Sequence, residues 1–177
     1  MIKLALDEEA RNPLGIDYVC CDVRQLHGEQ VQGYDTVTAA YLLNYASNFD
    51  ELLAFCKIVH DILPDGGKFF SMNNSPHDTA LHNPSLRKYG ILKSRDHPGE
   101  GARVQYEMLD ADGRTICTID NYAFSRTVLD RAFRRAGFKS FGYASLNVSP
   151  AGMAEFGAEH WDDLLDAQPV EGLWAIK

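Results

Sequence analysis

Apolar positions along this chain follow two periods, one close to 3.6 residues and one of two, and they alternate from segment to segment. Residues Met1 to about Ala10 predict a helix, stopped by Asn12-Pro13-Leu14-Gly15. The β-rich run Asp17–Cys21 predicts a short buried strand, followed by a loop with one helical turn between Val23 and Gly33. Asp35–Ala40 predicts the next strand, running into Tyr41-Leu42-Leu43-Asn44-Tyr45. From Phe49 to Leu63, Leu52, Leu53, Cys56, Val59 and Leu63 recur at helical steps and form one apolar stripe. Ser47 and Asp50 read as a capping box before it, and Gly66 as the left-handed stop after it.

Lys68–Met72 predicts a buried strand, and the polar stretch from Asn73 to Gly101 reads as a long excursion. Val104, Tyr106 and Met108 alternate, answered by Thr115–Tyr122 across Asp110-Ala111-Asp112-Gly113, which predicts an antiparallel hairpin. Ser125 caps a helix carrying Val128, Leu129, Ala132, Phe133 and Ala136, and Gly137 ends it. Strands over Phe138–Leu146 and Val170–Ile176 flank a helix from about Met153 to Leu165. Helices alternating with short strands argue an α/β fold with a largely parallel sheet, built as one domain over residues 1–177 with residues 73–122 as an insert or lid.

Composition narrows the function classes. The 177 residues are 45% hydrophobic, enough for one substantial core. A net charge of −8 with 17 scattered Lys and Arg argues against nucleic acid as a partner. Arg126, Arg131, Arg134 and Arg135 share one predicted helix and read as a solvated face. No apolar run reaches the roughly 18 residues that span a bilayer, so no membrane is expected as partner. Charges at Lys3, Asp7, Glu8, Glu9 and Arg11 break up any leader-like apolar region, which points to the cytoplasm. Cys20, Cys21, Cys56 and Cys117 lack zinc-ligand spacing and read as free, mostly buried thiols, with no metal expected.

The order of motifs resembles the class I S-adenosylmethionine-dependent methyltransferase family. Tyr34-Asp35-Thr36-Val37-Thr38-Ala39-Ala40-Tyr41-Leu42-Leu43-Asn44-Tyr45 is similar to that family's fourth strand and the loop after it. Ile62-Leu63-Pro64-Asp65-Gly66-Gly67-Lys68-Phe69-Phe70 resembles the turn into its fifth strand, and Arg134-Arg135-Ala136-Gly137-Phe138 the approach to its sixth. The family's first two strands and its Gly-x-Gly-x-Gly turn have no counterpart here. The resemblance therefore implies a Rossmann-like methyltransferase sheet truncated at its N-terminal side, with an inserted antiparallel hairpin. Strand edges left open in this way would be covered by a second copy, giving a homodimer by strand exchange or edge pairing.

The resemblance also implies S-adenosyl-L-methionine as cofactor and methyl transfer to O or N of a small-molecule metabolite. Cys21, Asp22 and Val23 match the cofactor's adenosine end, although Asp22 also reads as a turn aspartate. Ala39, Ala40 and Tyr41 lie where the methionine end would approach. Tyr45 and His77 are the catalytic candidates, His77 as general base or as a plain surface histidine. Asn44, Asn73 and Asn74 follow strand ends and are candidates for substrate contact. His160 and Trp161 read as packing or rim. A non-catalytic, dimerising or regulatory module is the alternative, because the glycine turn is missing. A dinucleotide enzyme is disfavoured because the sequence holds no Gly-x-Gly-x-x-Gly.

Overall fold

The computed structural model describes residues 2–26, 31 and 33–177. Its first sheet contains β1 (Thr36–Ala40), β2 (Lys68–Asn74), β7 (Ser140–Ser145) and β8 (Val170–Ile176), in the order β1-β2-β8-β7. β1 and β2 are parallel, whereas β8 runs antiparallel to both of its neighbours. The sheet is thus mixed where the sequence predicted a largely parallel one, since β8 wedges between β2 and β7 instead of adding at an edge.

α2 (Phe49–Ile62) and α3 (Arg126–Ala136) cover one face of this sheet. Leu52, Phe55, Cys56 and Val59 of α2 meet Leu129, Ala132 and Phe133 of α3 over Phe69, Leu173 and Ala175. Phe69 stacks on Phe133 at 6.1 Å. The N-cap of α2 is Asn48, whose side chain accepts from Glu51 N, one residue later than the Ser47–Asp50 box predicted. Ser47 is still used, because its backbone N and Oγ both donate to Glu51 Oε2. The turn into β2 uses both of its glycines. Gly66 takes φ +78°, and a Cβ on Gly67 would lie 2.8 Å from the Pro64 carbonyl oxygen.

The second sheet is antiparallel, in the order β3-β4-β5-β6, from β3 (His82–Asn83), β4 (Ile91–Arg95), β5 (Ala102–Leu109) and β6 (Thr115–Ala123). The predicted hairpin is its β5–β6 half. The predicted excursion supplies the other half, because a two-stranded ribbon alone cannot bury its apolar face. Ala102, Val104, Tyr106 and Ala123 form that buried face.

Three expectations are corrected. Residues 17–21 form no strand; among the described residues no strand pairs with them, so their backbone groups have no ladder to join. Only Cys56 is a buried thiol, while Cys20, Cys21 and Cys117 are exposed on an irregular segment and on β6. The helix expected over Met153–Leu165 is two, α4 (Pro150–Phe156) and α5 (Ala158–Ala167), separated by Gly157 at φ +78°. The first helix, α1 (Ile2–Arg11), buries none of its residues. Val23–Gln25 makes a 3-10 turn; residues 27–30 and 32 of the predicted loop lie outside the described residues.

Candidate functional site

A cavity of about 260 Å³ lies between the two sheets. Its floor is Ala40, Tyr41 and Tyr45, at and just beyond the carboxyl end of β1. Its roof is Ile91, Tyr106, Met108, Ile119 and Asn121, from the inner face of the antiparallel sheet. Leu146, Leu164 and Val170 close one side, with Leu86 on another. Among the described residues no Asp, Glu, Lys, Arg or His lines it.

Local geometry explains how the floor is placed. Tyr41 adopts a left-handed backbone at φ +59°, an unfavourable conformation for a large side chain. The bond from Tyr41 N to the Met72 carbonyl holds it there, 2.8 Å long, and the chain then makes a 3-10 turn over Leu42–Tyr45. The Tyr41 and Tyr106 rings meet edge to face at 6.3 Å, joining floor to roof. Burial pushes the Tyr41 hydroxyl above the usual tyrosine range and does the same to Tyr106, so both stay protonated near neutral pH.

Behind the cavity a buried amide network ties the sheets together. Asn44 Oδ1 accepts from Asn74 N at 3.0 Å, and Asn44 Nδ2 donates to the Tyr122 carbonyl at 3.0 Å. Tyr106 OH donates to Asn74 Oδ1 at 2.8 Å. Among the described residues Asn74 Nδ2 is buried without a partner. Lys93, beside Tyr106 in the β4–β5 pairing, is buried in an ion pair with Asp78 at 2.6 Å. Arg95 turns its guanidinium onto the carbonyls of Asp78, His97 and Gly99. Both cations on this inner face are therefore spent on the insert itself.

The predicted site residues separate into groups. Ala40, Tyr41 and Tyr45 line the cavity, and Asn44 and Asn74 brace it from behind. Strand alternation sends Asn73 to the opposite face with Phe69 and Ser71, where its Oδ1 accepts from Ser71 Oγ. Ala39 likewise packs into the core between sheet and helices. His77 is exposed and outside the cavity wall. Asp22 caps the Val23–Gln25 turn, and its carboxylate accepts from Arg24 Nη2 at 2.7 Å and from Arg24 N at 2.9 Å. Arg24 holds that carboxyl below the usual aspartate range. Cys21 is exposed, and Val23 packs against the main core.

The sequence places the roof residues Met108, Ile119 and Asn121 in the hairpin and marks none of them as a site residue. Alternation along that hairpin was the signal that could have found them, once one face was taken as facing the β1 tip. His160 and Trp161 pack with Tyr89, whose ring stacks on Trp161 at 5.8 Å. The arginines of α3 are divided: Arg131 and Arg135 lie over the Phe49 ring, and Arg126 pairs with Glu171 at 2.7 Å.

No protein-family model matches the chain, and no curated protein sequence does. Solved structures do. An S-adenosylmethionine-dependent methyltransferase from Mesorhizobium loti superposes with a TM-score of 0.63 at 18% identity, covering 100% of this chain and 77% of that one. The CcbJ methyltransferase from Streptomyces caelestis gives 0.64 at 18% identity, over 98% of this chain and 69% of that one. S-adenosylmethionine-bound CalS10, an amino pentose methyltransferase from Micromonospora echinaspora, gives 0.55 at 18% identity, over 98% and 70%. Two helices on one face of a β1-β2-β8-β7 sheet, with an antiparallel insert roofing the β1 tip, give this chain the fold of the S-adenosylmethionine-dependent methyltransferases.

Proposed function

We propose that this chain transfers a methyl group from S-adenosylmethionine to O or N of a small molecule. The observation that carries the reading is the largely apolar, partly open cavity at Ala40 and Tyr41, at the strand end where α/β folds hold ligands. At about 260 Å³ it suits a small metabolite.

The residues present fit the methyl-donor end of the cofactor. Ala40 has the small side chain that lets a ligand approach the strand, and the aromatic rings of Tyr41 and Tyr45 on the wall would suit a positively charged sulfonium. The cofactor supplies an electrophilic methyl group on positively charged sulfur, whose transfer needs alignment above all. Such orientation is worth about 7–11 kcal/mol of barrier. Tyr41 and Tyr45 would border the methyl group, with Asn44 and Asn74 fixing the turn that carries them. His77 lies outside the wall, so an acceptor proton would leave to water. At the adenosine end Asp22 would serve with Cys21 and Val23, exchanging its exposed and solvent-screened Arg24 partner for the ligand. The exposed thiols of Cys20, Cys21 and Cys117 support a reducing, cytoplasmic setting.

Homodimerisation belongs to the same reading. Among the described residues β1 pairs only with β2, and the sheet face away from α2 and α3 exposes Phe70, Met72 and Trp174. That open edge and the Asp22–Arg24 lock also favour a second reading, a non-catalytic module that works by association.

Titration calorimetry with S-adenosylhomocysteine separates the two. Saturable heat at micromolar ligand, reduced at least tenfold by Asp22→Ala or Ala40→Trp, is the expected outcome. No heat at millimolar ligand from protein with a native unfolding transition favours the association module.

A further inference from the structure

The cavity wall is more selective than a small-molecule site needs to be. Its roof and floor present aromatic faces, a thioether and branched aliphatic groups from Tyr41, Tyr106, Met108 and Ile119, surfaces that pack against flat rings. The two cations nearest the roof are spent, Lys93 on Asp78 at 2.6 Å and Arg95 on three backbone carbonyls, so neither is available to a phosphate or carboxylate. An anion entering here would give up part of its water with no cation among the described wall residues to compensate.

Besides the tyrosine hydroxyls, of which that of Tyr106 is committed to Asn74 Oδ1, the wall carries one side-chain amide. Asn121 is 1% exposed, lies on the inner face of β6 opposite Val104 and lines the cavity. Its Nδ2 donates to the Asp120 carbonyl at 2.9 Å, while its Oδ1 takes no hydrogen bond among the described residues. That amide oxygen belongs to a residue on the cavity wall, where a ligand can supply the donor. An apolar cavity of about 150 Å³ takes up benzene, so about 260 Å³ corresponds to one or two rings.

We infer that the cavity holds an uncharged, flat molecule of one or two rings with a single O–H or N–H group that donates to Asn121 Oδ1. As a statement about the methyl acceptor this rests on the methyl-transfer reading; as a statement about binding it stands alone. Asn121 is the residue that would distinguish a phenol or aryl amine from a plain hydrocarbon, and a wall with no charged side chain among the described residues is what would reject phosphorylated or carboxylated molecules.

The probes are 2-naphthol, naphthalene and 2-naphthyl phosphate, followed by ligand fluorescence with the full chain and no cofactor. Saturable binding of 2-naphthol with Kd below 1 mM, at least tenfold tighter than 2-naphthyl phosphate, is expected on the order of discrimination such pockets give. Asn121→Leu should weaken 2-naphthol about tenfold and leave naphthalene within about twofold. Ile119→Trp and, independently, Met108→Trp should abolish both by filling the space, with unfolding transitions showing that each variant is folded.

Equal or tighter binding of the phosphate overturns the inference. So does binding that survives both tryptophan variants, or the absence of 2-naphthol binding to natively folded wild type. S-adenosylhomocysteine binding is measured on the same samples. Naphthol binding without it leaves the ligand class standing and removes the methyl-transfer reading, and the converse pattern does the reverse.

Discussion

Cys56 illustrates how completely environment sets the chemistry of a single residue. Packed between α2 and the sheet, its thiol is pushed by burial up to about 12, so it is neither ionised nor reachable near neutral pH. Cys20, Cys21 and Cys117 carry the same side chain in exposed positions. An Ellman titration of the native protein should therefore show three fast thiols and one that reacts only on unfolding. Four fast thiols would mean that the α2–sheet core opens readily. The sequence marks Cys56 as inward by its place in the apolar stripe of α2. No comparable periodicity marks the other three, and they are exposed.

At the scale of elements, β4 shows what a polar strand can do. Its inner face carries Lys93 and Arg95 where a strand usually places apolar residues, and the long polar stretch around it predicted no sheet at all. Pairing with β5 and the ion pair to Asp78 make the position tenable. Removing one partner leaves a buried charge uncompensated, so Asp78→Asn and Lys93→Met should each cost about 3–5 kcal/mol. The double substitution should cost much less than their sum, as urea unfolding of all four proteins would show.

The pH dependence has a definite sign. Burial outweighs Asp78 and pulls the Lys93 ammonium below the usual lysine range. The folded protein releases that proton at lower pH than the unfolded chain, so between the lowered folded value and about 10.4 the unfolded chain binds more protons. Stability from this site therefore rises with pH across that window, and Lys93→Met/Asp78→Asn should lose the rise.

On the scale of the whole molecule, one sheet face is closed by α2 and α3 and the other exposes Phe70 at 45%, Met72 at 40% and Trp174 at 38%. Phe70 and Trp174 are cross-strand partners, so they form one continuous patch beside the open edge of β1. If a second copy covers that patch, sedimentation should show a mass that doubles with concentration, and Phe70→Lys with Met72→Lys should restore the monomer. A wild-type mass that stays monomeric at every concentration would remove the dimer from the proposal.

Strand and helix identities were legible along most of the sequence because each rests on local periodicity and local stop signals. The α2 stripe, the β5–β6 alternation, the Gly66–Gly67 turn and the Ser125 cap all rest on local residues, and their elements form where the pattern put them. Asp17–Cys21 has the composition of a strand, yet a strand exists only with a neighbour to share its hydrogen bonds, a property of the assembled sheet. The cavity has the same origin. Tyr41, Tyr106, Met108, Ile119 and Asn121 come from two sheets far apart in sequence. Their convergence depends on how the antiparallel insert folds over the tip of β1, which burial across the whole chain decides and no local spacing encodes.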